Sequence, residues 1–161
     1  MNAEFEKLIP ALVDGGVEFI LIGGLAAVVH GSARLTYDVD IVYSRAPGNL
    51  KRLVMALQPF QPYLRGAPLG LPFVWDHRTL ASGLNFTLTT WLGDLDLLGE
   101  VVGGGTYAQL LPHTIEVQAF AVSLRCVTLE KLIELKRAAG RPKDLEAVAE
   151  LQIILDERQP E

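Results

Sequence analysis

Eight residues, YDVDIVYS from Tyr37 to Ser44, constrain this chain more than any other stretch. They alternate with the period of a strand, setting Val39, Ile41 and Tyr43 on one face and Asp38, Asp40 and Val42 on the other. Two carboxylates on one face of an apolar strand stand roughly 6 to 7 Å apart at the backbone. They repel one another, and neither tolerates a dry interior without a partner. A divalent cation removes both penalties, because a hard ion such as Mg²⁺ takes carboxylate, phosphate and water oxygens. The plainer alternative is a pair of solvent-facing aspartates beside a turn, neutralised by Arg34 and Arg45.

What precedes the pair bears on that choice. VEFILI is a short apolar run without helical period, the length of a buried strand, and it is closed by Gly23-Gly24 ahead of the helical pattern LAAVVHG. A strand ending in two glycines and running into a helix lets backbone N–H groups approach an anion at the positive end of the helix dipole. Neither the third glycine of the dinucleotide fingerprint nor the Gly-Lys-Ser/Thr of a P-loop is present. Alone the glycines are a weak signal; followed fourteen residues later by Asp-x-Asp, they become specific.

The remaining organisation reads as one unit over residues 1–161, with a core of about 17–127 and a C-terminal helical pair of about 128–158. Helical spacing of Phe5, Leu8, Ile9, Leu12 and Val13 opens the chain, and NLKRLVMALQPF gives another helix after Pro47. Residues 59–72, rich in Pro and Gly, read as a loop. LNFTLTTW and LDLLGEVV read as an antiparallel hairpin turning through Leu92, Gly93 and Asp94. IEVQAFAVSLRCVTL supplies one more strand or a bent pair. Thr128 is placed to cap LEKLIELKRAAG, and Pro142 to start the last helix. The expected fold is α+β: a mixed β-sheet with helices packed mainly on one face.

The order strand, Gly-Gly, helix, Asp-x-Asp resembles the signature of the nucleotidyltransferase superfamily that includes DNA polymerase beta. Arg34 and Thr36 ahead of Asp-x-Asp, Lys136, and RPKD at 141–144 are similar to small stand-alone and AbiEii-like nucleotidyltransferases, some of which are toxins of toxin–antitoxin pairs. The likeness extends from about residue 17 to 150. It implies a third acid on a later strand, for which Asp94 and Asp96 compete. Asp96 lies among leucines inside the run, whereas Asp94 sits beside Gly93 where a turn favours aspartate, so Asp96 is the expected ligand.

The implied reaction is in-line attack of a hydroxyl on the α-phosphate of a nucleoside triphosphate, with two Mg²⁺ ions, replaceable by Mn²⁺, held by Asp38, Asp40 and Asp96. Asp38, Asp40, Asp96 and Lys136 are the implied catalytic residues, Asp96 also as proton acceptor. Gly23, Gly24, Ser32, Arg34, Thr36, Lys136 and Asp144 are implied to bind the nucleotide. Many members carry Ser where this chain has Gly24, which shifts the grip on phosphate to backbone amides, Ser32, Arg34 or Lys136. The acceptor is an RNA end, a protein or a small molecule, and a cognate antitoxin or toxin protein is an implied partner. The rival expectation is a non-catalytic, antitoxin-like binding module that keeps the fold.

Bulk properties narrow the partners. A net charge of −5 and a pI near 5.2 disfavour extended duplex binding, leaving at most a local basic rim of residues such as Arg45, Lys51, Arg52, Arg141 and Lys143. The lone Cys126 makes no internal disulfide, no run suits a membrane span, and MNAEFEKL lacks the layout of a signal peptide, so a cytoplasmic protein without membrane attachment is expected. His30, His77 and His113 lack metal-ligand spacing; Ser32 and Ser82 lack a nucleophile elbow; Gly103 to Gly105 precede no phosphate-cradling Lys. Trp75 and Trp91 beside strands are expected in core or rim.

Overall fold

The computed structural model describes residues 4–158, so the ends of the expected 1–161 unit, including the first three residues of the MNAEFEKL stretch, lie outside the described residues. Nine strands and seven α-helices are described: α1 (Phe5–Asp14), β1 (Phe19–Ile22), α2 (Gly23–Val29), β2 (Asp38–Tyr43), α3 (Pro47–Leu57), β3 (Tyr63–Leu64), α4 (His77–Ser82), β4 (Asn85–Thr90), β5 (Gly93–Leu98), β6 (Glu100–Val101), β7 (Gly105–Thr106), α5 (Tyr107–Leu110), β8 (Thr114–Ala119), β9 (Val122–Val127), α6 (Leu129–Ala139) and α7 (Pro142–Arg158). Seven strands form one mixed sheet in the order β3-β4-β5-β2-β1-β9-β8, an α+β architecture.

β1 pairs antiparallel with β2 and parallel with β9, while β2 pairs parallel with β5. The apolar runs that gave no helical period are the innermost strands: all four residues of β1 are buried, and Val39, Ile41 and Tyr43 of β2 are shielded completely. Their alternation makes the two aspartates the exceptions on an otherwise buried strand. α2 lies on β1 and β2 and meets α6, which packs along α7; α3 lies between α1 and α4.

Helix ends follow the local chemistry. The Thr128 side chain accepts from the Lys131 N–H at the start of α6, and Gly140, in the left-handed region at φ 67°, ends it. Pro142 begins α7. Three expectations differ from the structure. Gly23 and Gly24 do not separate strand from helix but form the first turn of α2. The hairpin turns at Trp91 and Leu92, so Gly93 and Asp94 belong to β5, paired with Thr90 and Thr89. The 59–72 stretch contains the edge strand β3, and α4, capped by Asp76 accepting from the Thr79 N–H, was not read from the sequence. The run 115–129 resolves as the pair β8–β9, turning through Phe120 and Ala121, both at positive φ.

A buried amide fastens the chain around the first two strands. Asn49, fully shielded in α3, accepts from the Glu18 N–H and donates to the carbonyls of Glu18 and Ser44. It thereby ties the entry to β1 and the exit from β2 to one helix. Asn49→Ala leaves three backbone groups without this partner, and urea unfolding should show a loss of about 2–4 kcal/mol with the m-value unchanged.

Candidate active site

Parallel pairing of β2 with β5 places Asp38 opposite Asp94 and Asp40 opposite Asp96. In a parallel pair, directly paired residues present their side chains to the same face, so this register gathers four carboxylates on two neighbouring strands. Carboxylate oxygens of Asp38, Asp40 and Asp96 lie within 4.8 Å of one another. Burial is the largest cause that drives the Asp40 carboxyl up to about 8, and a hydrogen bond with Asp96 and the charges of Asp38 and Asp96 add to it. The nearby Lys136 opposes the shift. One proton therefore does what a cation would do, relieving repulsion among three acids. The donor set is carboxylate oxygen throughout, the chemistry that Mg²⁺ and Mn²⁺ accept, so the residues fit a divalent cation.

The glycines complete the floor. Gly23 has φ 71°, and a β-carbon there would overlap the Asp40 carboxylate, so only glycine allows the helix start to approach the acid this closely. At Gly24 a β-carbon would lie 2.7 Å from the Thr36 hydroxyl. The threonine oxygen thus occupies the space that a serine at residue 24 would need. Thr36 also donates to the Asp38 carbonyl at 3.4 Å.

Around the acids opens a cleft of about 650 Å³, walled by the α2 start, the 32–37 segment, β5, α6 and α7. Lys136 stands 3.8 Å from Asp144, which is almost completely shielded at the first turn of α7. Arg141 grips the same carboxylate with two guanidinium nitrogens at 2.6 and 3.1 Å. Burial works to raise the Asp144 pKa, but the hydrogen bonds and charge of Arg141, with Lys136, outweigh it and hold the carboxyl below its ordinary range. Arg141 is therefore fixed to the helix start it precedes rather than loose on a solvated rim, although its side chain remains 60 % exposed towards the cleft.

Ser32 and Arg34 line this cleft but are engaged elsewhere. The Ser32 hydroxyl donates to Glu150 at 2.5 Å and accepts from the Arg34 N–H, and the Arg34 guanidinium lies 3.6 Å from Glu146. The plain alternative for the aspartates, pairing with Arg34 and Arg45, does not occur: Arg45 donates to the Tyr43 hydroxyl and to the carbonyls of Leu80 and Ala81. The arginine that does reach the acids is Arg65, 2.8 Å from Asp96 and 3.3 Å from Asp94, and sequence reading missed it.

Other singled-out residues are structural in their contacts. His30 ends α2 and is buried; Nε2 donates to the Val127 carbonyl, leaving Nδ1 to accept from Arg158. Burial lowers its pKa, consistent with a neutral ring between these partners. Cys126 is buried, and desolvation pushes its thiol up to about 12. Trp75 is buried and donates to the Val54 carbonyl, whereas Trp91 is exposed. Among the described residues no helix is long and apolar enough to cross a membrane.

Comparison with solved structures shows a nucleotidyltransferase-like fold. The chain superimposes on the lincosamide antibiotic adenylyltransferase LnuA, solved with lincomycin bound, with a TM-score of 0.62 at 16 % identity, covering 95 % of this chain and 98 % of that one. It also matches a Thermotoga maritima protein described as a candidate nucleotidyltransferase, with a TM-score of 0.58 at 15 % identity over 96 % and 91 % of the two chains. No protein-family model matches the sequence, and no curated protein does.

Two outcomes follow from the geometry. Because the folded Asp40 holds its proton up to about pH 8 and an unfolded one loses it near pH 4, the native state binds the extra proton between those values. The contribution is full below pH 4 and disappears as pH rises through 8. Metal-free protein should accordingly lose stability across that window in denaturant titrations, and Asp40→Asn should flatten the slope. Gly24→Ser should lower the melting temperature by crowding Thr36, and adding Thr36→Ala should restore most of the loss.

Proposed function

We propose that this protein is a Mg²⁺-dependent nucleotidyltransferase that moves a nucleoside monophosphate from a nucleoside triphosphate to a hydroxyl. The observation that carries the reading is the convergence of Asp38, Asp40 and Asp96 within 4.8 Å on paired strands, beside a glycine turn too close for any side chain. Two divalent cations, when bound there, would lower the pKa of the attacking hydroxyl and stabilise the leaving pyrophosphate. Asp38, Asp40 and Asp96 would hold the ions, and Asp96 would also take the proton of the attacking hydroxyl. Backbone N–H groups of Gly23 and Gly24 would face the triphosphate. Lys136 and Arg141 would neutralise it from the far wall, with Asp144 orienting both cations. Ser32, Arg34 and Thr36 would act by shaping the segment between α2 and β2, since their polar groups are already engaged.

Among acceptors a small hydroxyl compound is favoured. LnuA, an adenylyltransferase of a lincosamide antibiotic, matches over almost the full length of both chains, and the net charge of −5 gives an RNA no general attraction. An RNA end or a protein, the acceptors a toxin of a toxin–antitoxin pair would modify, are the competing outcomes.

Incubation with Mg²⁺, each α-³²P nucleoside triphosphate and separate pools of small hydroxyl compounds, RNA and protein should label the small-molecule pool and release pyrophosphate. Asp38→Asn, Asp40→Asn and Asp96→Asn should each lower turnover by about a hundredfold or more. Labelled RNA or protein would support the toxin-like role instead. No label in any pool, with triphosphate still raising the melting temperature, would mark a binding module and contradict the enzymatic reading.

A further inference from the structure

We propose that Arg65 is a positioning residue and the acid cluster's own counter-ion: it holds Asp96 in place and lowers the affinity of the cluster for a divalent cation. This rests on the metal-dependent reading above. Arg65 follows the edge strand β3, and its N–H donates to the Thr87 carbonyl of β4. Its side chain crosses β4 towards β5. There Nε and Nη2 both donate to the Leu88 carbonyl, at 3.2 and 2.7 Å, and Nη2 also donates to Asp96 Oδ1 at 2.8 Å. Nε lies 3.3 Å from Asp94 Oδ2. Leu88 pairs with Leu95, the residue between the two acids, so the fork is anchored at the midpoint of the pair it spans.

That anchoring separates Arg65 from an ordinary surface ion pair. Its side chain is only 27 % exposed, and its planar fork is already fixed by a main-chain acceptor before it meets a carboxylate. Asp96 is thereby held between Arg65 on one side and its hydrogen bond with Asp40 on the other. Four carboxylates in a two-by-two array need positive charge while no ion is bound, and Arg65 is the guanidinium that contacts two of them. The same charge repels an incoming cation. Arg65 therefore trades cation affinity for a fixed Asp96, and its removal should move affinity and turnover in opposite directions.

Mn²⁺ titration of wild type, Arg65→Gln and Arg65→Lys, followed by electron paramagnetic resonance, tests this. Arg65→Gln should bind Mn²⁺ about five- to tenfold more tightly, the effect of deleting one nearby positive charge under near-water screening. Its metal-free melting temperature should fall, and saturating Mn²⁺ should raise it by more than it raises that of wild type. Arg65→Lys keeps the charge without the fork, so its Mn²⁺ affinity should stay within about twofold of wild type while kcat falls. A merely structural arginine would give variants whose Mn²⁺ affinity is unchanged or weaker and whose stability Mn²⁺ does not rescue, and that result would overturn the assignment alone. Wild-type protein that binds no Mn²⁺ would overturn the metal-dependent reading together with it.

Discussion

The parallel pairing of β2 with β5 is the constraint on which the rest of the structure depends. A slip of one residue would turn Asp94 and Asp96 to the opposite face and leave Asp38 and Asp40 without a neighbour on β5. Register is held because Val39, Ile41, Leu95 and Leu97 are all completely buried, so that slip would also drive apolar side chains out of the core. The hydrophobic pattern thus fixes, as a by-product, the one arrangement in which the acids converge. Folding free energy from the buried face offsets repulsion on the acidic face.

Opposing devices then temper that repulsion. Asp40 retains a proton, Lys136 supplies charge from α6, and Arg65 supplies it from the sheet edge. Asp144 plays the reciprocal part on the far wall, where it gathers Lys136 and Arg141 at the start of α7. The cleft is therefore divided: acids on the sheet, cations on the helical pair, with the glycine-led start of α2 at their junction. A triphosphate carrying divalent cations has that same division of charge.

Much of this was legible in the sequence because local rules and packing agree there. The Asp-x-Asp strand and the Thr128 cap follow from periodicity and from the chemistry of single residues; a third acid was expected only from the family resemblance, and the structure brings the Asp96 carboxylate to those of Asp38 and Asp40. Other features were hidden for specific reasons. Asp94 looks like a turn residue beside Gly93, yet the hairpin closes one step earlier because Thr90 bonds both the Gly93 carbonyl and the Leu92 N–H. Arg65 sits in a Pro- and Gly-rich stretch, and only the edge pairing of β3 with β4 carries it across to β5. The engagement of Ser32 and Arg34 by Glu150 and Glu146 depends on how α7 lies across the α2 exit, a tertiary contact more than a hundred residues away in sequence. The α4 helix had a signal, Asp76 three residues before Thr79, that a search for N-caps would find.

The central claim, that three carboxylates from β2 and β5 form one cation site, is tested most directly by anomalous scattering from a crystal soaked in Mn²⁺ and a non-hydrolysable triphosphate. The account predicts anomalous peaks bounded by Asp38, Asp40 and Asp96, with the phosphates directed at the start of α2. Density for the triphosphate with no anomalous signal between those three side chains, or Asp96 turned away from the other two, would contradict it.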